Sequence, residues 1–494
     1  MRSEQTIPQL QWKSITSAKW NIGGQFLVQI LNVGGTIILS RWLPPAAVGL
    51  LLMLSLISNF VAIILNHAIG SAIIQSGSLN NKDLSSIFWL NILLAAVFHI
   101  LLLAASPLIS GFYREDALLR YLPYFGLIFF FYALGCVSQA LLVKKHMFKQ
   151  VVVGNLTGII ISFAVAIFML WRGFGVESLL AQLLLNTFIS SLYFFIIEKW
   201  KPALHLSILS LRKVQRFIAH LSFNSGLEYF VFNLDNFLVG RYLGNSALGL
   251  YGRARQWVFL PVQNIAFAIS RSYFPSFAQL KGNTPALQEM YLFSFRFTFY
   301  LTSIAITYMI VSAEDLVMVF LGSHWMEIVP LFIWFSLTGI IGTINGFNDS
   351  FITSQGQTGL LLRTGIFEKV LTIAGLLLAL RFGLQGLVFA RLVTAMMVVI
   401  PKTNALLIVS ELSLKKWFRS LLPTILICLC LLATGLISEA LMNSMKGIPR
   451  LLCVSLLFLV LTGFLSRIFK EDSYQYIVDI LRRKNLQPPK ENAL

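Results

Sequence analysis

GRYLGNSALGLYGRAR, residues 240–255, gathers three arginines (Arg241, Arg253 and Arg255) where two very hydrophobic segments meet. Two hundred residues earlier the chain reads RWLPPAAVGLL, residues 41–51. Arg, Leu, Ala, Gly and Leu recur at 41/241, 43/243, 47/247, 49/249 and 50/250, and Trp42 answers Tyr242, all at a constant offset of 200. Each copy joins an odd-numbered hydrophobic segment to the next. Internal symmetry of this kind marks membrane transporters built from two similar bundles. Both copies start from the same side, so the repeat is parallel rather than inverted.

The rest of the chain agrees with a membrane setting. Of 494 residues 57% are hydrophobic and 12% charged, with a mean hydropathy of +0.78; soluble domains carry roughly 25% charged residues. The polar start MRSEQTIPQLQWKS lacks the apolar core and cleavage site of a signal peptide, so the first apolar segment reads as a retained span. Crossing a bilayer takes about 20 apolar residues in a helix. Fourteen segments qualify, near 15–40, 46–75, 84–110, 117–143, 150–171, 176–198, 217–240, 246–277, 287–311, 327–353, 361–381, 385–408, 420–440 and 448–469. The expectation is an all-α integral membrane fold. It has a six-helix lobe (1–198), a basic cytoplasmic linker (199–216), a second six-helix lobe (217–408), helices 13 and 14 (409–469) and a basic cytoplasmic tail (470–494), with a pseudo-two-fold axis relating the lobes. Within the linker, 206–217 reads either as a basic amphipathic helix on the membrane surface or as a plain connection.

The net charge of +18 would suggest nucleic acid in a soluble chain. Here it sorts by topology. With both termini in the cytoplasm, the inner connections collect Lys144, Lys145, Lys149, Lys199, Lys201, Arg212, Lys213, Arg216, Lys402, Lys415, Lys416 and Arg419, among others. The outer ones hold few: Arg41, Arg114, Arg120, Arg172, Arg241, Arg253, Arg381, Lys446 and Arg450. That asymmetry is the positive-inside pattern, and no nucleic-acid partner is needed to explain it. Five bases remain inside spans: Arg255, Arg271, Arg296, Lys369 and Arg391. Four acids join them: Glu228, Asp235, Asp349 and Glu368.

A charge at the bilayer centre costs at least about 2.5–3.5 kcal/mol, so such residues face a bundle interior or a wet cavity. Buried ion pairing is one explanation, with the neighbours Glu368 and Lys369 as the best candidates. The other is a substrate site. Polar stripes support it: Asn21, Gln25, Asn32 and Thr36 on the first helix, Asn224, Glu228 and Asp235 on the seventh, and Gln256, Gln263, Asn264, Ser270 and Arg271 on the eighth. Amides and hydroxyls alone can be packing glue, but arginines match phosphate oxygens in bidentate geometry, which points to an anionic, phosphate-bearing substrate. The expected substrate contacts are Arg255, Arg271, Arg296, Arg391, Lys369, Asn224, Gln263 and Asn264; Glu228, Asp235 and Asp349 are candidates for proton or sodium coupling. Asn66 and His67, near the inner end of the second helix, read as a packed polar pair, with a lumenal position as the alternative. The glycine pairs Gly23–Gly24 and Gly34–Gly35 allow close packing of the first helix. Cys136, Cys428, Cys430 and Cys453 all fall in apolar segments without metal-ligand spacing. No Walker loop, nucleophile–base pair or metal cluster is present, so neither a cofactor nor an enzymatic reaction is expected.

The segments SRWLPPAAVGLL (40–51), GSAIIQ (70–75), FYREDALLRYL (112–122), GRYLGNSALGLYGRARQWVFLP (240–261), FPSFAQL (274–280) and LGSHWMEIVPLF (321–332), in this order and spacing, resemble the Wzx-like polysaccharide exporters. These belong to the multidrug/oligosaccharidyl-lipid/polysaccharide superfamily and include lipopolysaccharide biosynthesis proteins of the colanic-acid and teichuronic-acid exporter type. The resemblance implies two six-helix lobes around a central cavity. It implies a flippase that carries an undecaprenyl-pyrophosphate-linked oligosaccharide across the bacterial inner membrane by alternating access, with room for a complex with a polymerase or glycosyltransferase. A cation-coupled multidrug exporter of the same fold is the alternative; five internal bases against four acids speak against a cavity for cationic drugs. A membrane-embedded glycosyltransferase or polymerase would need a catalytic acid or base in a sizeable extramembrane loop, and the outer connections are short.

Overall fold

In the computed structural model, residues 7–77, 79–442 and 447–481 are described. Every regular element among them is helical. The first six helices are α1 (Ile7–Trp42), α2 (Pro45–Gln75), α3 (Asn81–Tyr113), α4 (Ala117–Lys144), α5 (Phe148–Trp171) and α6 (Val176–Ile197). A long run from Ile208 follows, broken at Gly244 into α7 (208–243) and α8 (245–279). Then come α9 (Thr284–Val311), α10 (Val329–Ser354), α11 (Thr358–Ala379), α12 (Gly383–Ser410), α13 (Leu414–Leu441), α14 (Ile448–Ile468) and α15 (Asp472–Leu481).

Eleven stretches are long and apolar enough to cross a membrane, one of which, Thr358–Ser410, takes in both α11 and α12. The chain is a multi-pass membrane protein. The helices α7 and α8 are not among the eleven; they carry Asn224, Glu228, Asn233, Asp235 and Asn236, then Arg253, Arg255, Gln256 and Asn264. Polar side chains depress their hydropathy, although the repeat sets them beside α1 and α2 in the sequence.

The repeat is also a backbone feature. The helix α2 widens to a π-helical turn at Ile63–Ala68, and α8 does so at Val262–Ala266. These positions again differ by about 200. The entry to each helix is built differently. Pro44 is extended (φ −71°, ψ 160°) ahead of α2, whereas Gly244 takes φ 86° ahead of α8, a conformation that glycine adopts without Cβ strain.

The described chain divides into two compact units, Met1–Leu250 and Tyr251–Leu494. The division falls inside α8 because the first turns of α8 pack on the first turns of α2. There the repeat positions meet. A Cβ on Gly49 would sit 1.7 Å from the Asn245 carbonyl oxygen, and one on Gly249 would sit 2.0 Å from that of Pro45. Elsewhere in the first unit small residues set the helix spacing, as expected where packing rather than hydrophobic exclusion drives association. Gly154 and Gly158 of α5 lie against Phe194 and Ser190 of α6, and Gly24 and Gly35 of α1 against Val152 and Phe163 of α5.

The connection after α6 docks on the start of α3. Trp200 Nε1 donates to Asn81 Oδ1 (2.6 Å) and Trp89 Nε1 to the Ala203 carbonyl (2.9 Å). Asp83 closes a capping box with Asn80 and holds Lys213 at 2.8 Å. Residues 208–216 are the opening turns of α7 rather than a separate surface helix.

The second unit is centred on aromatic rings. Tyr291 packs against Phe351 (4.8 Å between centroids), Phe277 against Phe351 (5.2 Å) and Phe295 against Trp417 (5.8 Å). The Tyr291 hydroxyl donates to Asn348 Oδ1 at 2.7 Å, which satisfies a polar group inside the cluster. Helices α13 and α14 pack on α9 in this unit: Tyr300 and Ser466 share a hydrogen bond of 2.9 Å, and Tyr308 and Ser455 one of 2.6 Å. Arg450, assigned from sequence to the outer interface, is 8% exposed and lies 3.3 Å from Asp315. The tail does not begin as a free basic segment: α15 docks on α9 through Tyr476, edge-on to Phe293 and Phe297.

Candidate functional site

The densest charge cluster inside the helical bundle lies in the second unit, on α10, α11 and α12. Lys402 is 3% exposed. Its Nζ is 2.6 Å from Asp349 Oδ2 and 2.7 Å from Glu368 Oε2. Asp349 Oδ1 is buried without a hydrogen-bond partner. Two carboxylates against one ammonium leave one negative charge unmatched. Lys402, expected among the inner-side bases, turns its side chain into the bundle. Glu368 and Lys369, the expected pair, do not meet: adjacent residues on a helix diverge by about 100°, so Glu368 meets Lys402 on the neighbouring helix while Lys369 is exposed.

The expected substrate bases are spread over this unit. Arg255 is 7% exposed, its guanidinium 5.8 Å from the ring centroid of Phe259 one turn later. Arg253, assigned from sequence to the outer interface, is equally buried: it lies 5.6 Å from the Trp325 ring centroid and donates to Gln256 Oε1 at 3.0 Å. Arg271 is exposed and Arg391 half-buried. Arg296 forms an ion pair with Asp472 on α15. Sequence periodicity could not anticipate that partner, because α15 follows the last span. Asn264 is exposed and its amide donates to the Leu260 carbonyl at 2.8 Å. The side chain of Gln263, like that of Asn21, lies outside the described set.

In the first unit α7 carries the other expected residues. Asn224 and Glu228 are exposed. Asp235 is 1% exposed and accepts the Asn236 backbone N–H at 2.9 Å. A second feature of this unit is a pair of adjoining cavities that share Asn66 and Gln139, of about 480 and 250 Å³. Asn66 and His67 line the larger one rather than forming a packed pair. The smaller is walled by Asn32, Tyr132, Asn155, Asn186 and Thr187 from four helices. No group of three or more His, Cys, Asp or Glu side chains that could hold a metal occurs among the described residues.

Comparison with known proteins gives the geometry its context. Residues 38–330 match the family model described as polysaccharide biosynthesis protein. The teichuronic acid biosynthesis protein TuaB of Bacillus subtilis is 25% identical over 363 residues, 72% of this chain and 74% of that one. The succinoglycan biosynthesis transport protein ExoT of Rhizobium meliloti is 24% identical over 373 residues, 74% of each. Among solved structures, the lipid II flippase MurJ in an inward closed conformation superposes with a TM-score of 0.73, covering 93% of this chain and all of that one, at 14% identity. An inward-facing multidrug resistance transporter of the MATE family gives 0.61, over 78% of this chain and 96% of that one, at 16% identity. At these identities the structural likeness concerns the fold.

Proposed function

Because the chain belongs to the polysaccharide biosynthesis protein family, we propose that it is a flippase. It carries an undecaprenyl-pyrophosphate-linked oligosaccharide from the inner to the outer leaflet of the bacterial inner membrane by alternating access. Relatives named for teichuronic acid biosynthesis and for succinoglycan biosynthesis transport support the substrate class. The observation that carries the assignment is the guanidinium of Arg255, buried on α8 at 7% exposure. Apolar packing alone gives no reason for such a charge inside the bundle. A pyrophosphate does, since it takes bidentate hydrogen bonds from planar cations. Arg271, Arg391 and Lys369 are the further candidate contacts. Arg296 serves first to anchor α15.

The cluster of Asp349, Glu368 and Lys402 is the coupling site on this scheme. Its unmatched negative charge suits one proton or one monovalent cation, and Asp349 Oδ1 is an acceptor open to either. Fourteen crossings, both termini in the cytoplasm, accord with the positive-inside count and with the polar helices α7 and α8 completing the apolar set. A polymerase or glycosyltransferase acting on the same lipid is the natural neighbour in the membrane.

The experiment is charge reversal, Arg255→Glu, in cells lacking the native gene. Expected are normal membrane insertion, loss of surface polysaccharide and accumulation of the lipid-linked precursor in the inner leaflet. Full export by this variant would overturn the arginine assignment. A cation-coupled drug exporter would instead show altered drug susceptibility with no precursor accumulating.

A further inference from the structure

The paired cavities of the first unit have a chemistry of their own. Among the described residues, no lysine, arginine, aspartate or glutamate lines either one. The lining is instead rich in primary amides: Asn32, Asn66, Gln139, Asn155 and Asn186, brought together by α1, α2, α4, α5 and α6. All five are half-buried.

Two ordinary explanations fail. Amides between membrane helices usually tie one helix to another, yet none of these five side chains makes a hydrogen bond to another described residue. Nor can they face hydrocarbon, where each unsatisfied amide is costly. Their surroundings must supply hydroxyl-like partners.

The backbone at Asn66 is set for this. Asn66 and His67 lie in the π-helical turn Ile63–Ala68, and such turns are frequent at functional sites. The turn is held from behind: Asn91 Nδ2 donates to the Leu65 carbonyl at 2.8 Å, and the Cys136 thiol lies 3.6 Å from that of Asn66. The side chain of Asn66 is thus aimed into the cavity by a supported backbone.

A primary amide offers two donors and one acceptor without charge. That pattern complements vicinal hydroxyls, each at once donor and acceptor, and complements phosphate poorly. Tyr132 and Phe194 on the wall add aromatic faces for the apolar side of a sugar ring. We propose that these cavities form a glycan subsite, which takes the neutral sugar hydroxyls of the transported molecule rather than its diphosphate. The proposal rests on the flippase assignment above and adds to it where the sugar is recognised.

The test uses purified full-length protein and native mass spectrometry with two probes. One is undecaprenyl pyrophosphate alone; the other is the lipid-linked oligosaccharide extracted from cells lacking the gene. Wild-type protein should bind the glycosylated probe more tightly. Gln139→Met and, separately, Asn155→Leu should each reduce that preference about three- to tenfold, the worth of one or two hydrogen bonds, while binding of the bare carrier stays at the wild-type level and reports an intact fold. Equal binding of both probes by wild-type protein, or variants that keep the full preference, would overturn the glycan subsite and leave the flippase assignment standing. A variant that loses both probes equally, tested beside the second, correctly folded variant, also counts against the subsite. Failure of wild-type protein to bind either probe would bring down the flippase assignment itself, and the subsite with it.

Discussion

Replacing Lys402 with methionine keeps most of the length of the unbranched side chain and removes its charge. In the native fold the ammonium lies 2.6 Å from one carboxylate and 2.7 Å from another. At an effective dielectric constant of about 20, each contact is worth roughly 6 kcal/mol before desolvation is counted. Much of that offsets the burial of Lys402, whose side chain is 4% exposed. The carboxylates are better solvated, with side chains 31% and 42% exposed, which lowers what they lose. Removing one member of a buried pair costs about 3–5 kcal/mol, because the remaining charges stand uncompensated; the partial solvation of the acids puts Lys402→Met near the lower figure, about 3 kcal/mol. The triple variant Asp349→Asn, Glu368→Gln, Lys402→Met leaves no stranded charge, and its stability should return to within about 1 kcal/mol of the native protein. Thermal unfolding in detergent measures both, and export in cells lacking the gene should fail for both. A single variant as stable as the native protein would refute the coupling of the three charges. So would a triple variant as unstable as the single one.

Two further outcomes follow from contacts of the fold. Gly49→Ala places a methyl 1.7 Å from a carbonyl oxygen where carbon–oxygen contacts ordinarily stop near about 3.3 Å. Because the obstacle is backbone, a helix must move, at a cost of about 1–3 kcal/mol; Gly249→Ala should behave alike, the double variant should lose less than the sum, and Gly23→Ala, which meets nothing within 4 Å, should lose nothing, all read by thermal unfolding. Glu471 lies between α14 and α15, and burial holds its carboxyl above the ordinary range, against hydrogen bonds from Ser473 and Thr424. The fold therefore favours the protonated form: this stabilisation is complete at acid pH and is lost as pH rises through the raised pKa, so the stability gained by Glu471→Gln should grow with pH across a series of unfolding curves.

Much of the architecture is legible in the sequence because it rests on pattern. Apolar length gives the spans, and the matched segments at 41–51 and 241–251 locate the paired helices α1–α2 and α7–α8. Rotation is another matter. Lys402 falls inside the segment expected at 385–408, but a lysine near the end of a span reads the same whether it reaches for water or turns inward. Only the position of Asp349 and Glu368 on neighbouring helices decides it. The partner of Arg296 is hidden for a related reason: Asp472 lies 176 residues away, beyond the last span. The amide cavity is less legible still. Its five side chains come from five helices, one from each, so no single periodicity reveals them, and Asn66 taken alone resembles a packed core amide.

The repeat shows how one backbone came to carry two chemistries. The helices α2 and α8 keep a π-helical turn at matching positions, so the scaffold is preserved through both copies. The side chains are not. Ser55 and Ser71 stand where the second copy has Arg255 and Arg271. The first unit lines its cavities with neutral amides; the second buries guanidiniums and a charged triad. Of the three arginines in residues 240–255, Arg241 matches Arg41 and belongs to the shared scaffold, whereas Arg253 and Arg255 answer Met53 and Ser55 and belong to the second copy alone. Neutral amides complement hydroxyls and guanidiniums complement phosphate, so the divergence gives the two copies separate ligand chemistries, a cavity good for one group being poor for the other.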